Sequence, residues 1–257
     1  MITVQNLSKT YADKAVLTEA STRFPAGRVT SLIGPNGAGK STLLMLMAGL
    51  IKPSQGAAFF EGKEVSEIPV SDYAKKVATL RQTPGFSMRL RVNELVAFGR
   101  FPHTRGLLNT EDRQIIDEAL EFLSLEHLSD RYIDELSGGQ RQMAFLAMTI
   151  AQQTPVLLLD EPLNNLDMKH AVQIMQALRR LSDEQGRTVI LVIHDINFAA
   201  NYSDQIVALK SGRIQFEGSV TETLTEERLK GLYELNFEII DSERGRVCNY
   251  FTPHTGV

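Results

Sequence analysis

The chain of 257 residues carries 43% hydrophobic and 23% charged side chains, the balance of a soluble globular fold with room for one large domain. A formal net charge of −4 argues against a binder that works by broad phosphate contact, so no nucleic-acid partner is expected. The single cysteine, Cys248, excludes an internal disulfide and a thiolate metal cluster.

No run approaches the roughly 20 apolar residues that cross a bilayer. The opening residues lack the basic and apolar regions of a signal peptide, so a cytoplasmic protein is expected.

"ITVQNLSKTY", "AVLTEASTRFPAG" and "RVTSLIG" predict short strands, with turns at Asp13 and at residues 25–27. Residues 31–50, "SLIGPNGAGKSTLLMLMAGL", then read as strand, glycine-rich loop and helix. "GPNGAGKS" (34–41) fits the phosphate-binding pattern G-x-x-x-x-G-K-[ST] in its required context. Gly34, Gly37 and Gly39 let the backbone curl so that N–H groups face phosphate oxygens, and Pro35, Asn36 and Ala38 complete the cradle of an ATP site. Lys40 supplies a charge to the β- and γ-phosphates, Ser41 a ligand for Mg²⁺, and Thr42 a contact to the α-phosphate.

"GAAFFEGKEV" predicts a further strand pair turning at Glu61 and Gly62. From about 71 to 155 the pattern reads as largely helical. Within it, "DRQIIDEALEFLSLEHL" (112–128) places Ile115, Ile116, Ala119, Leu120, Phe122 and Leu123 on one apolar stripe. In "ELSGGQRQ" (135–142), Ser137 and Gln140 frame a capping box before an apolar run, so a helix starts there with Ser137 as its N-cap. Gly138 and Gly139 in its first turn are costly unless something approaches the backbone closely. A helix start with bare N–H groups suits an anion.

"VLLLD" (156–160) and "TVILVIHD" (188–195) are continuous apolar runs separated by a helical pattern, which predicts a parallel sheet covered on both faces. Asp160 and Glu161 fall at the carboxyl edge of the first run, where such sheets bind ligands. Asp160 suits the Mg²⁺ shell, and Glu161 suits orienting and deprotonating an attacking water. "EPLNNLD" (161–167) reads as an Asx turn leading to a helix cap. "QIVALKSGRIQFEG" predicts a hairpin around Ser211 and Gly212, followed by a short helix (225–235) and a polar, strand-like end.

With "LSGGQ" (136–140) lying between the glycine-rich loop and "LLLDE", the order of motifs resembles the ATP-binding subunits of ABC transporters over essentially the whole chain. The resemblance implies an α/β fold: a P-loop NTPase core with a mainly parallel sheet, an N-terminal antiparallel β subdomain and an inserted α-helical subdomain. A single domain over 1–257 is expected, with 1–88 and 156–257 forming the β subdomain and core. Residues 89–155 would be the helical part carrying the signature.

The resemblance also implies roles residue by residue. Tyr11 would stack on adenine and Val16 line the same base; a strand tyrosine packed on its neighbours is the other reading of Tyr11. Gln82 would touch Mg²⁺ or water and sense the membrane partner, and His194 would reach the γ-phosphate. Two copies would pair head to tail, each ATP lying on one P-loop and under Ser137, Gly138, Gly139, Gln140 and Asp167 of the other copy.

Two separate transmembrane permeases and, indirectly, a substrate-binding protein complete the implied assembly, with this chain peripheral on the cytoplasmic face. "RVNELVAFGRFPHTRG" (91–106) and "DEPLNNLDMKH" (160–170) resemble importers of iron–siderophore complexes, haem and cobalamin, which points to ferric-siderophore uptake. A soluble ABC ATPase that assembles another complex, or an exporter subunit, would share the ATP motifs. His103, His127, His170 and His254 have no ligand-like spacing and read as surface or packing residues, and Cys248 reads as a small residue of the tail.

Overall fold

A computed structural model describes residues 1–81 and 89–251. A long hairpin, β1 (Ile2–Tyr11) and β2 (Lys14–Phe24), leads into β3 (Val29–Ile33), the phosphate-loop segment and helix α1 (Lys40–Met47). Next come β4 (Gln55–Phe60), β5 (Lys63–Glu64), the single turn α2 (Val70–Tyr73) and β6 (Val77–Leu80). A helical stretch holds α3 (Val92–Ala97), α4 (Phe101–Thr104), α5 (Thr110–Phe122) and α6 (Gly138–Ala151). The chain returns to the sheet through β7 (Val156–Asp160), α7 (Met168–Asp183), β8 (Thr188–Val192), α8 (Ile196–Tyr202) and β9 (Gln205–Lys210). It finishes with β10 (Arg213–Ser219), α9 (Val220–Thr223), α10 (Glu226–Tyr233) and the hairpin β11 (Glu238–Ser242) and β12 (Gly245–Asn249).

β2, β1, β4 and β5 form an antiparallel sheet in that order, while the central sheet runs β10-β9-β3-β8-β7-β6. All of its neighbours are parallel except the β9–β10 hairpin at one edge. Its inner strands are apolar throughout because each face meets a different core. Leu157 and Leu159 of β7, with Val189 and Leu191 of β8, face the core shared with α5, α6 and α7. Leu158, Ile190 and Val192 face the other core, with Leu43, Leu44 and Met47 of α1 and the β1–β2–β4 sheet. A strand buried on both faces shows no period-2 pattern.

Two sequence expectations change. The stretch from 71 is not helical throughout: after the single turn α2, β6 pairs with β7 from Val77↔Val156 to Leu80↔Leu159 at the sheet edge. Four residues are too few for a strand pattern to stand out from a neighbouring helical one. The helix expected over 112–128 ends at Phe122; Ser124 takes a left-handed φ of 56°, and a 3₁₀ turn spans Glu126–Leu128. Leu123 is nonetheless buried with the stripe.

The helical layer is fastened to α6 by a buried ion pair. Arg100 Nε donates to Asp112 Oδ1 at 2.9 Å, and its Nη1 donates to the Ala151 carbonyl at 2.9 Å and to Gln153 Oε1 at 3.2 Å. Asp112 also closes the capping box of α5, where its Oδ2 accepts the Asn109 amide at 3.0 Å. One carboxylate thus joins the start of α5 to the end of α6.

Candidate functional site

The loop after β3 wraps the start of α1 at the carboxyl edge of the central sheet. Gly34, at φ 135°, leaves no room for a side chain, since a Cβ there would overlap the Leu209 carbonyl. Its amide donates to the Tyr233 hydroxyl of α10 at 3.1 Å, so the far end of the chain braces the loop. Burial pushes that hydroxyl's pKa up to about 12, which keeps it neutral. Lys40 is buried inside the loop and donates to the carbonyls of Gly34 at 2.7 Å and Pro35 at 2.9 Å. Burial lowers its pKa, opposed by the nearby charges of Glu161 and Asp160.

Ser41 Oγ donates to Asp160 Oδ1 at 2.8 Å across the gap between α1 and β7. Burial raises the pKa of Asp160, the Ser41 bond opposes the rise, and Glu161 adds to it. A serine hydroxyl beside a carboxylate is a set of hard oxygen donors that suits Mg²⁺, which takes few protein ligands when phosphates and waters supply the rest. No cluster of three His, Cys, Asp or Glu able to hold a metal occurs among the described residues.

Glu161 follows directly at φ 51°, a conformation uncommon for a residue with a side chain. Its Oε1 stands 2.7 Å from His194 Nε2, and its Oε2 accepts from the side-chain Nδ2 of Asn164. The carboxylate is therefore oriented from two sides. A cavity of about 150 Å³ is lined by Val16, residues 36–42, Glu161 and His194. A second cavity of about 470 Å³ adjoins it through Asn36, Gly37, Glu161 and His194, with Asn164 added.

The structure thus brings Val16, Asn36, Gly37, Ala38, Gly39, Lys40, Ser41, Thr42, Glu161 and His194 together. Asp160 joins them through Ser41, and Gly34 and Pro35 through the carbonyls that hold Lys40. Tyr11 is not in that lining; it ends β1, 45% exposed, with Lys9 Nζ 5.0 Å from its ring centre. Gln82 and His254 lie outside the described residues.

Ser137, Gly138, Gly139, Gln140 and Asp167 form a separate group. The Ser137 side chain accepts the Gln140 amide at 3.2 Å, and the Ser137 amide donates to Gln140 Oε1 at 3.1 Å, as the capping box requires. Asp167 caps α7, its Oδ1 accepting the His170 amide at 2.9 Å. That bond leads in lowering the Asp167 pKa, followed by the bond from the His170 ring.

Sequence reasoning missed three contacts: Tyr233 on Gly34, Asn164 on Glu161, and His170 between Asp167 and Gly139. The first joins residues 199 positions apart, a separation at which no local pattern speaks. Asn164 was visible as a small polar side chain two residues past the "DEP" turn. Cys248 is buried, and burial raises its thiol to about 11, which disfavours the thiolate.

A family profile described as ABC transporter matches residues 17–164. Petrobactin import ATP-binding protein YclP of Bacillus subtilis (strain 168) is 48% identical over 252 residues, covering 98% of this chain and 100% of that protein. Iron(3+)-hydroxamate import ATP-binding protein FhuC of the same organism is 43% identical over 245 residues, covering 95% and 91%. Among solved structures, the dimeric post-hydrolysis state of the ATP-binding cassette MJ0796 bound to ADP and Pi aligns with a TM-score of 0.77 at 30% identity. It covers 86% of this chain and 99% of that one.

Proposed function

The chain belongs to the ABC transporter family, and we propose that it is the ATPase subunit of an importer for ferric-siderophore complexes. The observation that carries the enzymatic part is the Glu161 carboxylate, held by His194 and Asn164 at the mouth of the glycine-rich loop. The import reading is supported by two relatives, YclP and FhuC, named as petrobactin-import and iron(3+)-hydroxamate-import ATP-binding proteins, which align along nearly the whole chain.

The mechanism follows from the residues. The backbone amides of Asn36, Gly37, Gly39 and Lys40 receive the phosphates, and the Lys40 ammonium exchanges its two loop carbonyls for phosphate oxygens. Ser41 and Asp160 would hold Mg²⁺, which when bound neutralises charge on the β- and γ-phosphates. Glu161 accepts a proton from the water that attacks the γ-phosphorus, as the bond to the β–γ bridging oxygen breaks and ADP leaves. His194 keeps the carboxylate aimed at that water and adds a donor beside the γ-phosphate. Val16 borders the same cradle on the base side, and Tyr11 and Gln82 keep their family roles within this proposal.

The active unit in this reading is a pair of chains. The Gln140 amide is taken by Ser137 Oγ and the Arg141 amide by the Ser137 carbonyl. This leaves the amides of Gly138 and Gly139 for an acceptor outside the helix, namely the γ-phosphate held by the partner. Asp167 would cross the same interface. In the same proposal two permeases and a substrate-binding protein are separate chains, as in the importers this chain resembles, with this one on the cytoplasmic face.

The test is uptake of radiolabelled ferric siderophore by cells that lack this chain. Restoring the chain is expected to restore uptake, and restoring it with Glu161→Gln is not. Uptake unaffected by the loss, or supported by Glu161→Gln, would overturn the proposal.

A further inference from the structure

The two glycines of "LSGGQ" are not equivalent in the folded chain. Ser137 and Gly138 are exposed, whereas Gly139 is buried. A Cβ on Gly138 would meet only the Asn165 carbonyl, at an ordinary 3.8 Å. A Cβ on Gly139 would stand 2.5 Å from Nδ1 and 2.7 Å from Cδ2 of His170, distances that real side chains do not show. Gly139 lies within helix α6 and is not among the positive-φ residues, so its backbone would accept alanine, the better helix former. What excludes a side chain there is the imidazole.

That ring cannot easily step aside. Its Nδ1 is 2.7 Å from Asp167 Oδ1, and the same oxygen accepts the His170 amide at 2.9 Å. Asp167 therefore holds His170 at both its backbone and its ring, and the ring lies against the Gly139 backbone. The first turn of α6 and the first turn of α7 are locked together by one side chain.

We propose that His170 is a positioning residue for hydrolysis, fixing Ser137–Gln140 against Asp167 so that both reach the partner's nucleotide as one rigid piece. This rests on the head-to-tail reading above. It also gives the second glycine a reason of its own: whatever its amide binds, Gly139 lacks a side chain so as to seat an imidazole of its own chain, a constraint that the exposed Gly138 does not share.

The test compares the intact chain with Gly139→Ala, His170→Ala and the double variant, by ATP turnover, ATP affinity of the monomer and thermal unfolding. Overpacking at this contact is expected to slow turnover of Gly139→Ala by about tenfold or more, with monomer ATP affinity unchanged. The double variant should then be faster than Gly139→Ala alone. His170→Asn, which keeps a donor for Asp167, should retain more turnover than His170→Ala at the same unfolding midpoint.

Full activity of Gly139→Ala, or a double variant no faster than it, would overturn the proposal. If Gly139→Ala fails to fold, recovery of the fold in the double variant supports the contact, and its absence refutes it. Failure of the dimer reading shows elsewhere, as a Glu161→Gln chain that stays monomeric with ATP. The unfolding midpoints of the four chains still decide the Gly139–His170 contact in that case.

Discussion

Arg100 and Asp112 are the pair whose removal should be felt most in stability. Both are almost fully buried, and the guanidinium also satisfies the end of α6. Removing one partner of a buried pair typically costs about 3 kcal/mol, because the other charge is left buried without compensation. Asp112→Asn is therefore expected to lower unfolding free energy by about that much near neutral pH, read by urea titration. The Asn109 amide, with Arg100 beside it, holds the Asp112 carboxyl below its ordinary value. Its stabilisation is then complete above the unfolded-state value and drains as pH falls towards the folded-state one. The deficit of Asp112→Asn should accordingly shrink on acidification through the carboxylate range. A deficit independent of pH would show that the charge contributes nothing. Neither partner stood out in the sequence, since an arginine in "FGRFP" and an aspartate in "TEDR" look like surface residues until the fold pairs them. The Ser137 cap was legible because its partner, Gln140, lies three residues away in a short motif. His170 was read as a surface or packing residue, because its meaning depends on a glycine 31 positions away.

At the scale of elements, the buried strands, the P-loop helix and the capped start of α6 were readable, each carrying a pattern several residues long. β6 was not, being four residues at an edge. The C-terminal hairpin was readable as strands but not in its role. Asn197 and Asn201, one turn apart on α8, grip the backbone of β12. Asn201 donates to the Arg246 carbonyl at 2.7 Å and accepts the Arg246 amide at 2.9 Å, and Asn197 accepts the Cys248 amide at 2.7 Å. The hairpin thus pins the helix that begins two residues after His194. Asn201→Ala is expected to speed hydrogen exchange at the Arg246 amide by about fivefold, the loss of one ordinary hydrogen bond, with β3 and β8 still protected. Unchanged exchange at Arg246 would mean that packing alone holds the hairpin to α8.

At the scale of the whole molecule, the phosphate cradle and the capped glycines lie in different places on one chain, and in the proposed reading the site is complete only when two chains meet. That proposal starts from the order of motifs, in which "LSGGQ" reads as a second anion site with no anion of its own. Which residues of that stretch are exposed and which are buried was not legible, since exposure belongs to the fold. The measurement that tests the pairing most directly is the mass in solution of the Glu161→Gln chain, with and without ATP. Slowed hydrolysis should let ATP hold two copies together, so the mass should double from 28.6 kDa on adding ATP. Adding Ser137→Arg should abolish the doubling while the monomer still binds ATP. A chain that binds ATP yet keeps its monomer mass, or one that dimerises equally well with Ser137→Arg, would contradict the account.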